Sequence, residues 1–174
     1  MSNTSLKNGF QILDQETYKA KAYPFNASTE ITAGDIVYMT DAGYADDSVN
    51  SGKLLGIAGS NIFNGLTLDL VTDTDSSTTR GDFIMVYDSP ELEFTGELTE
   101  FTLTDPITTL ASSACYDGAG TTGVEYVDAG ASSNDEIRVK RLWNEPNGDK
   151  SVAGAYAKCV FMFNSAKHLY GHVS

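Results

Sequence analysis

Apolar and polar residues alternate over short stretches for most of this chain, and glycine, aspartate or asparagine punctuates the stretches. In "ITAGDIVYMTDAGYADD", Ile36, Tyr38 and Thr40 fall on one face of an extended segment and Val37 and Met39 on the other. Turn residues flank it: Ala33-Gly34-Asp35 before and Asp41-Ala42-Gly43 after. "KLLGIAGSNI" predicts a second strand around Leu54 to Ala58, and "LTLDLVTD" sets Leu66, Leu68 and Leu70 against Thr67, Asp69 and Val71. In "RGDFIMVYD", Phe83, Met85 and Tyr87 share one face and Ile84 and Val86 the other. Apolar residues on both faces predict a strand central to a sheet or barrel.

The second half continues the pattern. "ELEFTGELTEFTLTD" points Leu92 and Phe94 inward and Glu91 and Glu93 outward, and "SACYDGAGTTGVEYVDAG" reads as two short strands around a glycine-rich bend. "EIRVKRLWN" alternates through Ile137 and Val139, then slips by one residue at Arg141 before Leu142 and Trp143. "GAYAKCVFMFNS" sets Cys159, Phe161 and Phe163 on one face. About nine to eleven short strands with regular turn signals predict an all-β fold, a small β-barrel or β-sandwich of short antiparallel strands. No segment has a convincing helical period; the nearest is "DPITTLASS", with Pro106 at the first position of a short helical turn.

Residues 1–28 break the pattern. Phe10, Ile12, Leu13, Tyr18, Tyr23 and Phe25 are scattered among polar residues, and Pro24 pushes Tyr23 toward an extended backbone. The reading is an extended N-terminal arm over 1–28 whose aromatics need a partner surface, with a first strand with loose ends as the alternative, followed by a β-domain over 29–165 and a tail over 166–174 carrying Leu169 and Tyr170. On that reading, removing residues 1–26 leaves the domain folded.

Composition narrows the function classes. At 174 residues the chain fits one domain that buries roughly 70% of its unfolded surface. A formal net charge of −13 opposes nucleic acid and anionic membrane surfaces, both of which need clustered Lys and Arg. No stretch approaches the roughly 20 apolar residues of a membrane helix, and "MSNTSLKNGFQILDQ" has no apolar run of the length a signal peptide needs. Cys115 and Cys159 are far apart in sequence and read as two buried thiols, with one disulfide as the alternative.

The motifs that bear on chemistry are weak. Arg80-Gly81-Asp82 matches an adhesion tripeptide, but a strand begins at once and a turn glycine accounts for it. "DTDSS" opens like a calcium loop, yet Thr78 and Ile84 stand where a glycine and a glutamate are needed. Asp46 and Asp47 read as an acidic hairpin tip. His168 and His172 have the spacing of two metal ligands on a helix, with Gly171 between them and no third ligand marked. "GAGTTG" joins strands and opens no helix, so it lacks the amide cluster that grips phosphate. Asn3-Thr4-Ser5 and Asn26-Ala27-Ser28 fit the glycosylation pattern without a secretory context. No catalytic residue, metal ligand or cofactor is expected.

The order "ITAGDIVYMTDAGYADD", "KLLGIAGSNI", "DFIMVYDSPELEFTGEL", "GTTGVEYVD", "IRVKRLW" and "AKCVFMFNSAKHLYG", over roughly residues 30–172, resembles the capsid decoration, or cement, proteins of tailed bacteriophages. The resemblance lies in strand order and turn placement. It implies a β-barrel or β-sandwich made in the bacterial host's cytoplasm and placed on the outer surface of an icosahedral head, often as a homo-trimer. There it clamps neighbouring major capsid subunits and catalyses nothing. The expected capsid contacts are Phe10, Ile12, Leu13, Tyr18, Tyr23 and Phe25 of the arm with Leu169 and Tyr170 of the tail. Three other readings compete: a receptor- or glycan-binding fibre domain using Trp143, a head–tail joining or tail-tube subunit, and a small hydrolase using acidic residues.

Overall fold

A computed structural model describes residues 9–25, 31–47, 52–60, 62–63, 66–67, 83–101, 115–119, 126–128, 136–143 and 154–171. Within them the fold is all-β. Thirteen strands follow one another: β1 (Gln11–Ile12), β2 (Lys21–Pro24), β3 (Ile36–Thr40), β4 (Ala45–Asp46), β5 (Gly52–Ala58), β6 (Ile62–Phe63), β7 (Leu66–Thr67), β8 (Phe83–Tyr87), β9 (Glu93–Phe101), β10 (Cys115–Ala119), β11 (Tyr126–Asp128), β12 (Ile137–Leu142) and β13 (Gly154–Phe163).

The first sheet has the order β1-β9-β11-β10-β12-β13, and β13 also pairs with β9. The pairings thus return on themselves, although the link between β9 and β11 is parallel and rests on one registered pair, Val127 and Leu98. This is a curled sheet rather than a closed barrel. Its inner side collects Leu92, Phe94, Leu98, Val127, Ile137, Val139, Ala157, Cys159, Phe161 and Phe163. The longest pairing, β9 against β13, puts Phe94 opposite Phe161, and the one-residue slip expected in "IRVKRL" is a register shift between Val139 and Arg141.

The second sheet runs β2-β8-β5-β3-β4. It curls too, because Phe25, just after β2, bridges Ala45 on β4 at the far edge. Inside it lie Phe25, Ile31, Val37, Ala45, Leu55, Ala58, Ile84 and Val86, all buried. Strands β3 and β5 serve both interiors: Ile36, Tyr38, Leu54 and Ile57 face the first core, while Val37, Leu55 and Ala58 face the second. That is why these strands are apolar on both sides in sequence. A shift in register between Val37 and Tyr38 lets Leu55 and Gly56 stand together against Val37. As its two apolar faces require, β8 is internal, between β2 and β5. A separate two-stranded ribbon joins β6 and β7.

The arm is where expectation and structure part. Residues 9–25 hold two short strands on either side of a turn at 15–18, and they are built into both sheets: β1 pairs with β9 and β2 with β8. Phe10 is only 3% exposed, with its ring against Phe94 and Phe161 at centroid distances of 5.2 and 6.2 Å. The expectation that these aromatics are outlying is corrected for Phe10 and Phe25, which burial of apolar surface draws into the chain's own cores. Gly96 makes room for Phe10: a Cβ there would come within 2.4 Å of the Phe10 ring. A deletion of residues 1–26 removes both plugs and is expected to unfold the domain, not to spare it.

Candidate functional site

Strand β2 and the turn after β13 meet at one place. Strand β2 pairs with β8 so that Tyr23 lies opposite Ile84 and Lys21 opposite Val86. Just past β8, Asp88 is buried. Its carboxylate accepts from the Lys21 ammonium at 2.7 Å and from the Tyr23 hydroxyl at 2.5 Å. From the turn after β13, Tyr170 brings its hydroxyl to 3.2 Å from that of Tyr23. Tyr170 is 48% exposed, and the Lys21 ammonium sits 5.5 Å from its ring centroid, an added cation–π attraction.

The charges of this cluster are set by its bonds and its burial. The bond to Asp88 raises the Lys21 ammonium above its ordinary pKa, so it stays protonated and cannot act as a nucleophile near neutrality. Burial first, and the bond to Asp88 second, push the Tyr23 phenol up as well. His168, in the turn after β13, is pushed down to about 4 by burial, against the Leu55 backbone and Asp88, which act the other way. The cluster is therefore a fixed carboxylate with one cation and one phenol upon it, beside a neutral imidazole.

Of the residues expected to contact a partner, the structure joins Tyr23, Leu169 and Tyr170. Leu169 is half-buried against the second core, and its backbone N–H donates to the Leu54 carbonyl at 2.8 Å. Ile12, Leu13 and Tyr18 lie elsewhere, along the first sheet. Ile12 and Tyr18 pack against the first core. The Leu13 N–H donates to the Glu93 carbonyl at 3.1 Å, and the Tyr18 hydroxyl to the Glu91 carbonyl at 3.0 Å. Phe10 and Phe25 are internal.

No protein-family model, no curated protein and no solved structure matches this chain.

Sequence reasoning missed Lys21 and Asp88. Two residues of opposite charge 67 positions apart carry no local signal of contact; only the pairing of β2 with β8, itself unread, brings them together. It also missed Phe83, 37% exposed, which lies opposite Pro24. Alternation along β8 turns Phe83 to the face opposite Tyr23.

The remaining motifs divide plainly. Arg80-Gly81-Asp82, "DTDSS", Leu68, Leu70, the helical turn at Pro106, both glycosylation patterns and His172 lie outside the described residues. Asp47 is held above its ordinary pKa by burial and by its contact with Asp46; among the described residues no three His, Cys, Asp or Glu converge as a metal site. Cys159 is a free thiol deep in the first core, where burial pushes it up to about 12, so it is inert and unbridged. The Lys158 ammonium lies 5.3 Å from the centroid of the half-buried Trp143 ring.

Proposed function

We propose that this protein decorates the outer surface of a bacteriophage capsid, as a homo-trimer, and stabilises it by bridging neighbouring major capsid subunits without bond-making chemistry. The observation that carries this reading is the junction of β2 with the turn after β13, where Tyr23 and Tyr170 stand side by side at the surface, fixed from behind by Asp88 and Lys21. Tyrosine offers a large apolar ring with a polar tip at small entropic cost, and aromatic residues are enriched in protein–protein contacts. A rigid scaffold that presents them ready-placed loses little freedom on binding. The order of strands along the chain supports the same reading.

The mechanism is thermodynamic. A ligand that binds the expanded lattice better than the unexpanded one stabilises the expanded lattice by the difference. Each copy that touches two or three subunits adds avidity.

The test uses purified expanded and unexpanded heads mixed with the full chain, with occupancy read by co-sedimentation and electron microscopy. Saturable binding to expanded heads is expected, with affinity reduced about tenfold by Tyr170→Ala, the cost of truncating a central aromatic contact. Tyr170 is exposed, so the variant should remain folded. Equal occupancy on both head forms, or none on either, sinks the proposal.

A further inference from the structure

The turn that follows β13 is built around a histidine ring. Asn164 opens it: its N–H donates to the Glu136 carbonyl at 2.7 Å, its side-chain oxygen accepts from the Ala166 N–H at 3.2 Å, and its carbonyl accepts from Lys167 and His168. His168 then turns inward, 4% exposed, with its ring 5.2 Å from that of Phe163 and 6.2 Å from that of Tyr170. Leu169 binds the Leu54 carbonyl of β5 at 2.8 Å, and the Gly171 N–H closes onto the His168 carbonyl at 3.0 Å. The fit is tight, since a Cβ at Gly171 would stand 1.7 Å from the Ser165 carbonyl oxygen.

The two ring nitrogens have opposite situations. Nδ1 accepts the Tyr170 backbone N–H at 3.2 Å. The proton of the neutral ring therefore sits on Nε2, which is buried and makes no direct hydrogen bond; the Leu55 backbone lies near enough to favour the charged ring, but by less than burial opposes it. A second proton can go only to Nδ1. There it faces the Tyr170 N–H, so two donors oppose each other and the bond that shapes the turn is lost. It also places a cation against Phe163 and the first core, at a desolvation cost.

We propose that residues 164–171 form a proton-operated latch, docked on β5 while His168 is neutral and released when His168 takes a proton. Release carries Tyr170 away from Tyr23 and so dismantles the surface junction described above. The inference rests on the geometry of the turn and stands whether or not the partner is a capsid.

Among the described residues, the charged and titratable groups around the ring are few. From the turn after β8 comes Asp88, which favours the imidazolium, but its carboxylate is already engaged by Lys21 and Tyr23 of β2. Lys53, the one charged residue of β5, and Lys167 of the turn itself are exposed. Glu136, ahead of β12, accepts the Tyr38 hydroxyl at 2.8 Å, and the Tyr170 phenol completes the set. The docked ring titrates at about 4 and a released one near 6.5. The ratio of released to docked turns therefore rises about twentyfold between about pH 7 and about pH 5.

The experiment is amide hydrogen exchange on the full chain, residue by residue, across that pH range. Protection factors at Leu169 and Gly171 are expected to fall with the opening, while those of Phe161 and Val160 in β13 hold. In His168→Gln, whose side-chain oxygen can accept the Tyr170 N–H but takes no proton, the same factors should stay flat. Constant protection at Leu169 in the native protein, or an equal fall in the glutamine variant, overturns the latch. Should His168→Gln fail to fold, the ring nitrogens of the native protein decide. A titration midpoint near the ordinary histidine value, with Leu169 protected throughout, overturns it; a depressed midpoint that tracks the loss of protection supports it.

Discussion

The two cores are sealed by the same device with different fillings. The first is aromatic: Phe10, Phe94, Phe161 and Phe163 form a continuous set of rings with centroid separations from 4.9 to 6.2 Å. The second is aliphatic, built from Val37, Leu55, Ile84 and Val86, with Phe25 the one buried aromatic ring among its described residues. In each case a phenylalanine from residues 9–25 enters from outside the main run of strands, Phe10 into the first core and Phe25 into the second. The difference is in what each plug touches. Phe10 meets other rings edge-on deep in the first sheet, whereas Phe25 lies where β2 comes round to β4. A short segment with an irregular pattern can thus complete two interiors, provided that each leaves a hole of the right shape.

Truncating the plugs tests that comparison most severely. Phe10→Ala is expected to cost about 3–5 kcal/mol of unfolding free energy in chemical denaturation, from lost transfer and the cavity left behind. Phe25→Ala should cost about 1 kcal/mol less, because no ring pair is lost with it. Equal costs, or the reverse order, would show that aromatic packing does not distinguish the two seals.

The strands themselves were legible in sequence because their burial is periodic. The two apolar faces of "FIMVY" announced a strand internal to a sheet, and the slip at Arg141 was visible as a break in alternation. The seals and the site were not legible, for one physical reason. Phe10, Phe25, Lys21 and Tyr23 act through contacts across long stretches of chain, and a β1 of two residues or a β2 of four with an exposed half leaves no period to detect. Gly96 was a possible clue to a close approach within an otherwise continuous strand, but nothing in sequence says which ring arrives there.

Acid should separate the two regions next. The turn holding His168 docks on β5, and Leu169 packs on the second core. The histidine titrates at about 4 when folded, below its ordinary value near 6.5. Between these two values the unfolded chain binds more protons than the folded one, so stability falls as pH falls through that window and levels off below it. A loss on the order of 2–3 kcal/mol is expected by about pH 4 if the turn stays docked, and less if it releases first. His168→Gln should remove this component, leaving the acid response of the carboxylates; denaturation midpoints at several pH values provide the check.

The close approach at Gly96 comes third. Gly96→Ala drives a methyl into the ring of Phe10, which is buried. A cost of about 2 kcal/mol is expected. Combined with Phe10→Leu, the two changes should cost less than their sum, since the shorter side chain vacates the space that the methyl claims. Strict additivity in the double-mutant cycle would mean that the methyl is accommodated elsewhere and that Phe10 does not fill that gap.

The smallest effect asks whether two cores make two folding units. Strands β3 and β5 contribute alternate side chains to both interiors, and hydrogen bonds also tie the sheets, among them that of the Tyr38 hydroxyl of β3 to the Glu136 carboxylate ahead of β12. Neither interior can lose β3 without opening the other, so unfolding should be a single cooperative transition. Tyr38→Phe deletes the bond and leaves the ring in place; about 1 kcal/mol should be lost. Because the coupling is carried by shared strands and not by this bond, fluorescence of Trp143 near the first sheet and amide exchange in β8 of the second should shift together by the same amount. Separate midpoints for the two probes would mean that the hydroxyl, and not the doubly apolar strands, holds the halves in one unit.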